Sequence, residues 1–160
     1  MTYKLLAKGG AEVEIPQGIA KHSVLLKQII EDEGEEEIPL NEVQEEALKK
    51  VVAFMEMLDQ TAFPDIKKPL ISTDFDEVVS EPVYVDFVKN LQPDEVFEIG
   101  LAANYMDVKP LLDLISAYIA TQIKGKPANE IREFFGMQND FTEAEEAKVA
   151  AECKMAEENF

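Results

Sequence analysis

The apolar positions of this chain follow two rhythms. Near the N-terminus two short runs, YKLLAK and AEVEI, are strand-like and are joined by Gly9-Gly10. That dipeptide takes positive φ at both central turn positions without steric cost, so a β-hairpin is predicted there. The period then lengthens to that of a helix. IPQGIAKHSVLLKQIIE reads as a short helix followed by a second, which Ser23 can cap and which carries Leu25, Ile29 and Ile30 at helical spacing. Beyond the acidic run EDEGEEE, the tripeptide IPL is a candidate third strand.

From Asn41 to Gln60 the spacing predicts a long helix with Asn41 as its N-cap and Val43, Leu48, Val51, Val52, Met55 and Leu58 on its apolar face. Residues 61–81 hold Pro64, Pro69, several acids and no sustained period, which predicts a long surface loop or a partly ordered connector. Helical spacing resumes over EPVYVDFVKNL and PDEVFEIGLAANYMD, where Pro93, Asp94 and Glu95 make a favourable first turn. Apolar residues surround nearly all of Val96 to Met106, predicting a helix central to the core.

The next segment, VKPLLDLISAYIATQIKG, carries two stripes, Leu112-Ile115-Ile119-Ile123 and Leu111-Leu114-Tyr118, and should pack on two sides. KGKP predicts a helix-to-helix corner. Lys124 and Lys126 complement a helix C-terminus, Gly125 suits the position just past it, and Pro127 can open the helix PANEIREFF, which Gly136 can end. Thr142 and Glu145 form a T-x-x-E capping box for a last helix running nearly to Phe160, whose Ala-rich face of Ala144, Ala147, Ala151 and Met155 is shallow. Strands come early, helices continue to the end and no period repeats, so the fold class is α+β with helices dominant.

Composition narrows the function classes. With 160 residues, 46% of them apolar, the chain is expected to bury one sizeable core. Its 15 Lys+Arg against 33 Asp+Glu repel phosphate backbones and anionic lipid, so neither nucleic acid nor a membrane surface is an expected partner. Cys153 is the only cysteine, and no leader-like segment or run of 18 apolar residues occurs, which predicts an intracellular protein, cytoplasmic or nuclear.

No motif supplies an enzyme's chemistry. His22 has no second histidine to complete a metal pair, and Cys153 has no C-x-x-C partner, so both read as structural side chains and no metal or cofactor is expected. EDEGEEE and TDFDEVVSE lack the sixth-position glycine of a calcium loop, and no phosphate-binding glycine loop occurs. An acidic hydrolase would rest only on the abundance of carboxylates.

Apolar side chains, by contrast, are in excess near the C-terminus. Ile131, Phe134 and Phe135 lie at i, i+3 and i+4 of a short helix, and Met137 and Phe141 follow. Phe141 stands where a hydrophobic staple would need an apolar partner at position 146 and finds Glu146 instead. Burial against the preceding helix is one account of these residues; a partner-binding surface fits the excess better.

VEIPQGIAKHSVLLKQIIED, LNEVQEEALKKVV, LAANYMDVKPLLDL and IKGKPANEIREFFGMQNDFTEAEEAKV resemble, in that order, segments of the Skp1 family. The resemblance covers nearly the whole chain and is weakest over 61–81. It implies a BTB/POZ fold with a small three-stranded sheet, split as residues 1–60 and 82–125 around the loop 61–81. Residues 126–160 would form a two-helix, F-box-binding extension. It further implies a non-catalytic adaptor of SCF ubiquitin ligases that links a cullin to F-box proteins in ubiquitin-dependent degradation. Asn104 and Tyr105 match family positions facing the cullin N-terminal region. The F-box-binding positions map to Ile119, Ile123, Ile131, Phe134, Phe135, Gly136, Met137, Phe141, Ala147 and Val149.

The chain departs from the family pattern in two places. Ala128 occupies the position of a proline that some protist members hydroxylate and glycosylate, and Pro127 is shifted by one, so that modification is expected to be absent. Met155 stands nearest the place of a family tryptophan and offers a softer contact. Alternative roles are a subunit of a non-SCF assembly with an F-box-like partner, such as a kinetochore complex or a regulator of vacuolar ATPase assembly, or a BTB domain forming homodimers when an F-box partner is absent.

Overall fold

Gly9 and Gly10, with φ of +97° and +87°, reverse the chain between β1 (Thr2–Lys8) and β2 (Glu12–Pro16), giving the antiparallel register Tyr3–Ile15 and Leu5–Val13. The structure is a computed structural model that describes residues 1–34 and 36–158; Glu35, inside the acidic run, and Asn159 and Phe160 lie outside it. On the other side of β1, β3 (Glu37–Gln44) pairs in parallel, so the sheet order is β2-β1-β3. Tyr3, Leu5, Ala7, Ile15, Ile38 and Leu40 are buried and form the sheet's share of the core. Its outer strands carry Glu12 and Glu14 on β2 and Pro39 on β3, residues that discourage pairing with a further strand.

The third strand is longer than IPL. Its pairing jumps from Ala7–Leu40 to Lys8–Gln44, and Val43, placed on a helix by the sequence pattern, is buried from this irregular strand end. Helix α3 therefore begins at Glu45, not Asn41. α1 (Gln17–Ala20), α2 (Val24–Glu33) and α3 (Glu45–Gln60) precede the connector. Gln44 occupies the N-cap of α3 without a side-chain bond, and Glu45 and Glu46 in the first turn offset the exposed N–H groups electrostatically. At α2 the predicted cap is present: Ser23 Oγ accepts the Leu26 N–H at 3.2 Å and donates to the Met106 carbonyl at 2.5 Å.

Residues 61–81 are not a simple surface loop. Ile66, Phe75, Val78 and Val79 are buried, and α4 (Phe75–Val78) forms a single turn begun by Asp74, whose Oδ1 accepts the Asp76 N–H at 3.0 Å. The rings of Phe75 and Tyr118 meet edge to face at 5.2 Å, and Lys89 reaches Asp76 at 2.5 and 2.7 Å. Proline and acid content hid these spaced anchors, which lack helical or strand periodicity.

α5 (Pro82–Lys89) delivers Tyr84 and Phe87 to Phe54 of α3, with ring centroids 5.5 and 5.4 Å apart. α6 (Pro93–Tyr105) opens with a reciprocal cap between Gln92 and Glu95. It approaches α7 (Lys109–Ile123) so closely that a Cβ at Gly100 would lie 3.2 Å from Ile115 Cγ2. His22 has a structural place: its Nε2 is 3.2 Å from Asp59 Oδ1. Lys21 first, and His22 second, hold the Asp59 carboxyl below its ordinary range.

Two compact units are present, Met1–Gln122 and Ile123–Phe160. The first contains the sheet and the buried core. The second contains α8 (Ala128–Phe135) and α9 (Glu143–Glu158), neither of which has a buried residue. Gly125 and Gly136 take φ of +75° and +64°, as the predicted corner and helix end require. Pro127 is the N-cap of α8 instead of its first helical residue, and after Gly136 the Met137 N–H returns to the Arg132 carbonyl at 2.8 Å.

Candidate partner-binding surfaces

Within the second unit the sequence-predicted residues form a set held by its own geometry. Phe134 and Phe135 are adjacent on α8, their rings perpendicular with centroids 5.2 Å apart; Phe134 and Ile131 are half-buried and Phe135 is exposed. Gly136 ends the helix in the left-handed region and releases Met137, which is exposed. Phe141 is exposed too, and the Arg132 guanidinium lies 5.2 Å from its ring centroid. In place of a staple, Glu146 accepts a hydrogen bond from the Asn139 side-chain amide, which leaves the Phe141 ring to Arg132. Ala147 and Val149 are exposed on α9, whose start is fixed by the Thr142–Glu145 capping box.

Such a surface has a physical cost. A small domain gains stability by removing apolar area from water, yet these helices and the segment between them leave Phe135, Met137, Phe141, Val149 and Met155 exposed. Ile119 and Ile123 stand on α7, Ile119 in the first unit and Ile123 at the start of the second, and both are half-buried.

The first unit carries a separate surface. Asn104 and Tyr105, in the last turn of α6, are exposed. One turn earlier Leu101 is 71% exposed, so α6 is not enclosed on every side as its apolar content suggested. Val96, Ile99, Ala102 and Ala103 face the core while Leu101 and Tyr105, four apart, share the outer face. A groove of about 410 Å³ runs beside them, floored by Val43, Ala47 and Ala102 and edged by Glu42, Gln44 and Glu98. Tyr105 was anticipated from the sequence; Leu101 and the β3–α3 wall were not. The i, i+4 pairing of Leu101 with Tyr105 was the available signal, masked because apolar residues also occupy the other faces of α6.

Residues 1–59 match the family model described as the Skp1 family tetramerisation domain, and residues 109–156 match that described as the Skp1 family dimerisation domain. The S-phase kinase-associated protein 1 homolog of Tetrahymena thermophila is 42% identical over 156 residues, spanning 97% of this chain and 93% of the relative. The E3 ubiquitin ligase complex SCF subunit sconC of Arthroderma benhamiae is 39% identical over 160 residues, 96% of this chain and 94% of that protein. The protein of the same description in Neosartorya fischeri is 37% identical over 162 residues, spanning 98% and 99% of the two chains. The chain belongs to the Skp1 family, and its three-stranded sheet with packed helices is the α+β architecture that the family resemblance implied.

Proposed function

We propose that this chain is a non-catalytic adaptor of an SCF-type ubiquitin ligase, holding an F-box protein on its C-terminal extension and a cullin on the first unit. The observation that carries the reading is the second unit, whose two helices bury none of their residues and which exposes Phe135 and Val149 on those helices and Met137 and Phe141 between them. Solvent-exposed large apolar side chains on the amphipathic α8 and the segment that follows it are suited to a helical partner that removes them from water. The names of the relatives, which include SCF subunits, support the same class of assembly.

The assignment of Ile119, Ile123, Ile131, Phe134, Phe135, Gly136, Met137, Phe141, Ala147 and Val149 to the F-box partner follows from their family positions and from the exposed apolar character of most of those on the second unit. For the cullin N-terminal region, Asn104 and Tyr105 supply exposed contacts beside an apolar-floored groove, to which Leu101 is now added. Two separate surfaces let one chain bridge two partners at once, which is the whole of the adaptor's mechanism.

Binding of purified chain to a recombinant F-box domain and to a cullin N-terminal domain, each measured calorimetrically, tests the reading. Phe135→Asp should lose F-box binding and keep cullin binding, because a charge cannot be buried in an apolar contact without a partner. Asn104→Lys with Tyr105→Lys should do the reverse. Loss of both affinities in each variant, with the fold intact by circular dichroism, would defeat the two-surface assignment.

The same exposed residues favour a second behaviour, self-association in the absence of an F-box partner, in keeping with the dimerisation description of the matched C-terminal segment. Sedimentation at increasing concentration should reveal a dimer that the F-box domain disperses.

A further inference from the structure

We propose that Met137 and Met155 are a peroxide-sensitive pair, and that converting them to methionine sulfoxide weakens docking of the F-box partner. This rests on the docking reading given above. Of the chain's six methionines, Met55 and Met106 are fully buried at 0% exposure and Met57 is half-buried. Met137 and Met155 are 63% and 64% exposed, and apart from Met1 at the chain's start they are the only exposed methionines. Both belong to the second unit.

Access to the sulfur controls this chemistry. A thioether lone pair attacks one oxygen of hydrogen peroxide and the O–O bond breaks. Sulfur is oxidised by two electrons to the sulfoxide, and the departing oxygen is reduced and leaves as water, taking the proton of the transferred oxygen. The packed core around Met55 and Met106 keeps peroxide from their sulfurs, whereas the two sites on the helical extension are open to it.

The consequence follows from what oxidation does to the side chain. Methionine is an adaptable apolar group, and its sulfoxide carries a strongly polar S–O bond. Met137 emerges directly from the left-handed Gly136 that ends α8, two positions after the exposed Phe135. Burying a sulfoxide in an apolar contact without a hydrogen-bond donor is unfavourable, so a surface suited to the reduced side chain is spoiled by the oxidised one. The bound partner should in turn shield Met137, so that the free adaptor reacts faster than the complex.

The test uses a Cys153→Ser background, because the exposed thiol would also consume peroxide. The full chain is treated with hydrogen peroxide, oxidised sites are mapped by peptide mass spectrometry, and affinity for a recombinant F-box domain is measured by calorimetry. Met137 and Met155 should oxidise before Met55 and Met106, with an affinity loss of about tenfold or more that methionine sulfoxide reductases reverse. The Met137→Leu, Met155→Leu variant, which keeps apolar volume, should bind before treatment and resist it afterwards. Oxidation without loss of affinity, or equal loss in the double-leucine variant, overturns the proposal alone. An untreated chain that does not bind the F-box domain overturns the docking reading and this proposal with it.

Discussion

The guanidinium carbon of Arg132 lies 5.2 Å from the ring centroid of Phe141, joining α8 to the segment that enters α9. Met137 and Phe141 are both exposed and Gln138, Asn139 and Asp140 between them are polar, so this stretch buries no apolar anchor and the cation over the aromatic face helps to set its course. Arg132→Ala should cost about 0.5–1 kcal/mol locally. The measurable result is faster amide hydrogen exchange at Phe141 and Thr142, partly restored by Arg132→Lys. Unchanged exchange would mean that the Asn139 side chain, which accepts the Phe141 N–H at 3.2 Å, holds the segment without Arg132.

At the start of α9 the Thr142 N–H and hydroxyl both donate to Glu145 Oε2, at 2.8 and 3.0 Å, and the Glu145 N–H donates back to Thr142 Oγ1 at 3.3 Å. The backbone donor first, and the hydroxyl second, hold the Glu145 carboxyl below its ordinary value of 4.5. A carboxylate depressed in this way stabilises the helix fully above its unfolded pKa, and the contribution is lost as pH falls through the lower folded value. The first turn of α9 should therefore fray on acidification below about pH 4.5, seen as a falling protection factor of the Thr142 amide, its exchange rate taken relative to that of an unstructured peptide at the same pH. Glu145→Gln keeps a side chain able to cap the helix and should remove that pH dependence.

Ser23 is a structural counterpart with no proposed part in binding. Its hydroxyl bonds to the Met106 carbonyl and the Leu26 N–H join the start of α2 to the end of α6 in a fully buried place. Ser23→Ala takes from the Leu26 N–H its acceptor and leaves the Met106 carbonyl with only the Leu25 N–H at 3.4 Å, and should destabilise the first unit by about 1–3 kcal/mol. Chemical denaturation measures this directly, and a change under about 0.5 kcal/mol would mean that the site relaxes to satisfy them otherwise.

What the sequence made legible was whatever obeys a local rule. The Gly9-Gly10 turn, the Ser23 cap, the corner at Gly125 and the Thr142–Glu145 box each depend on residues within a few positions of one another, and each is present in the structure. Features that depend on distant partners were harder to read. Val43 looks helical in isolation and becomes part of a strand because β1 lies alongside. Phe75 lay in an apparent loop until its ring met Tyr118, 43 positions away in sequence by their numbers. The candidate surface on α8 was visible because its apolar excess is local. The groove beside α6 was not, since β3, α3 and α6 all contribute to its lining.

Leu101 provides the sharpest separation of folding from binding in that groove. At 71% exposure it gives its own unit little burial, so Leu101→Ala should change stability by no more than about 0.5 kcal/mol. If Leu101 anchors the cullin beside Tyr105, the same truncation should lower cullin affinity by about 1–3 kcal/mol, roughly five- to 150-fold, and leave F-box affinity as it was. Glu42 and Glu98 on the groove's edge, in a chain of net charge −18, favour a basic contact from the partner. Added salt should therefore slow association of the wild-type chain, and Glu98→Gln should reduce that salt dependence, whereas Leu101→Ala should act mainly by speeding dissociation. Stopped-flow kinetics at two ionic strengths resolves these contributions, and a Leu101→Ala variant with unaltered dissociation would remove this residue from the cullin surface.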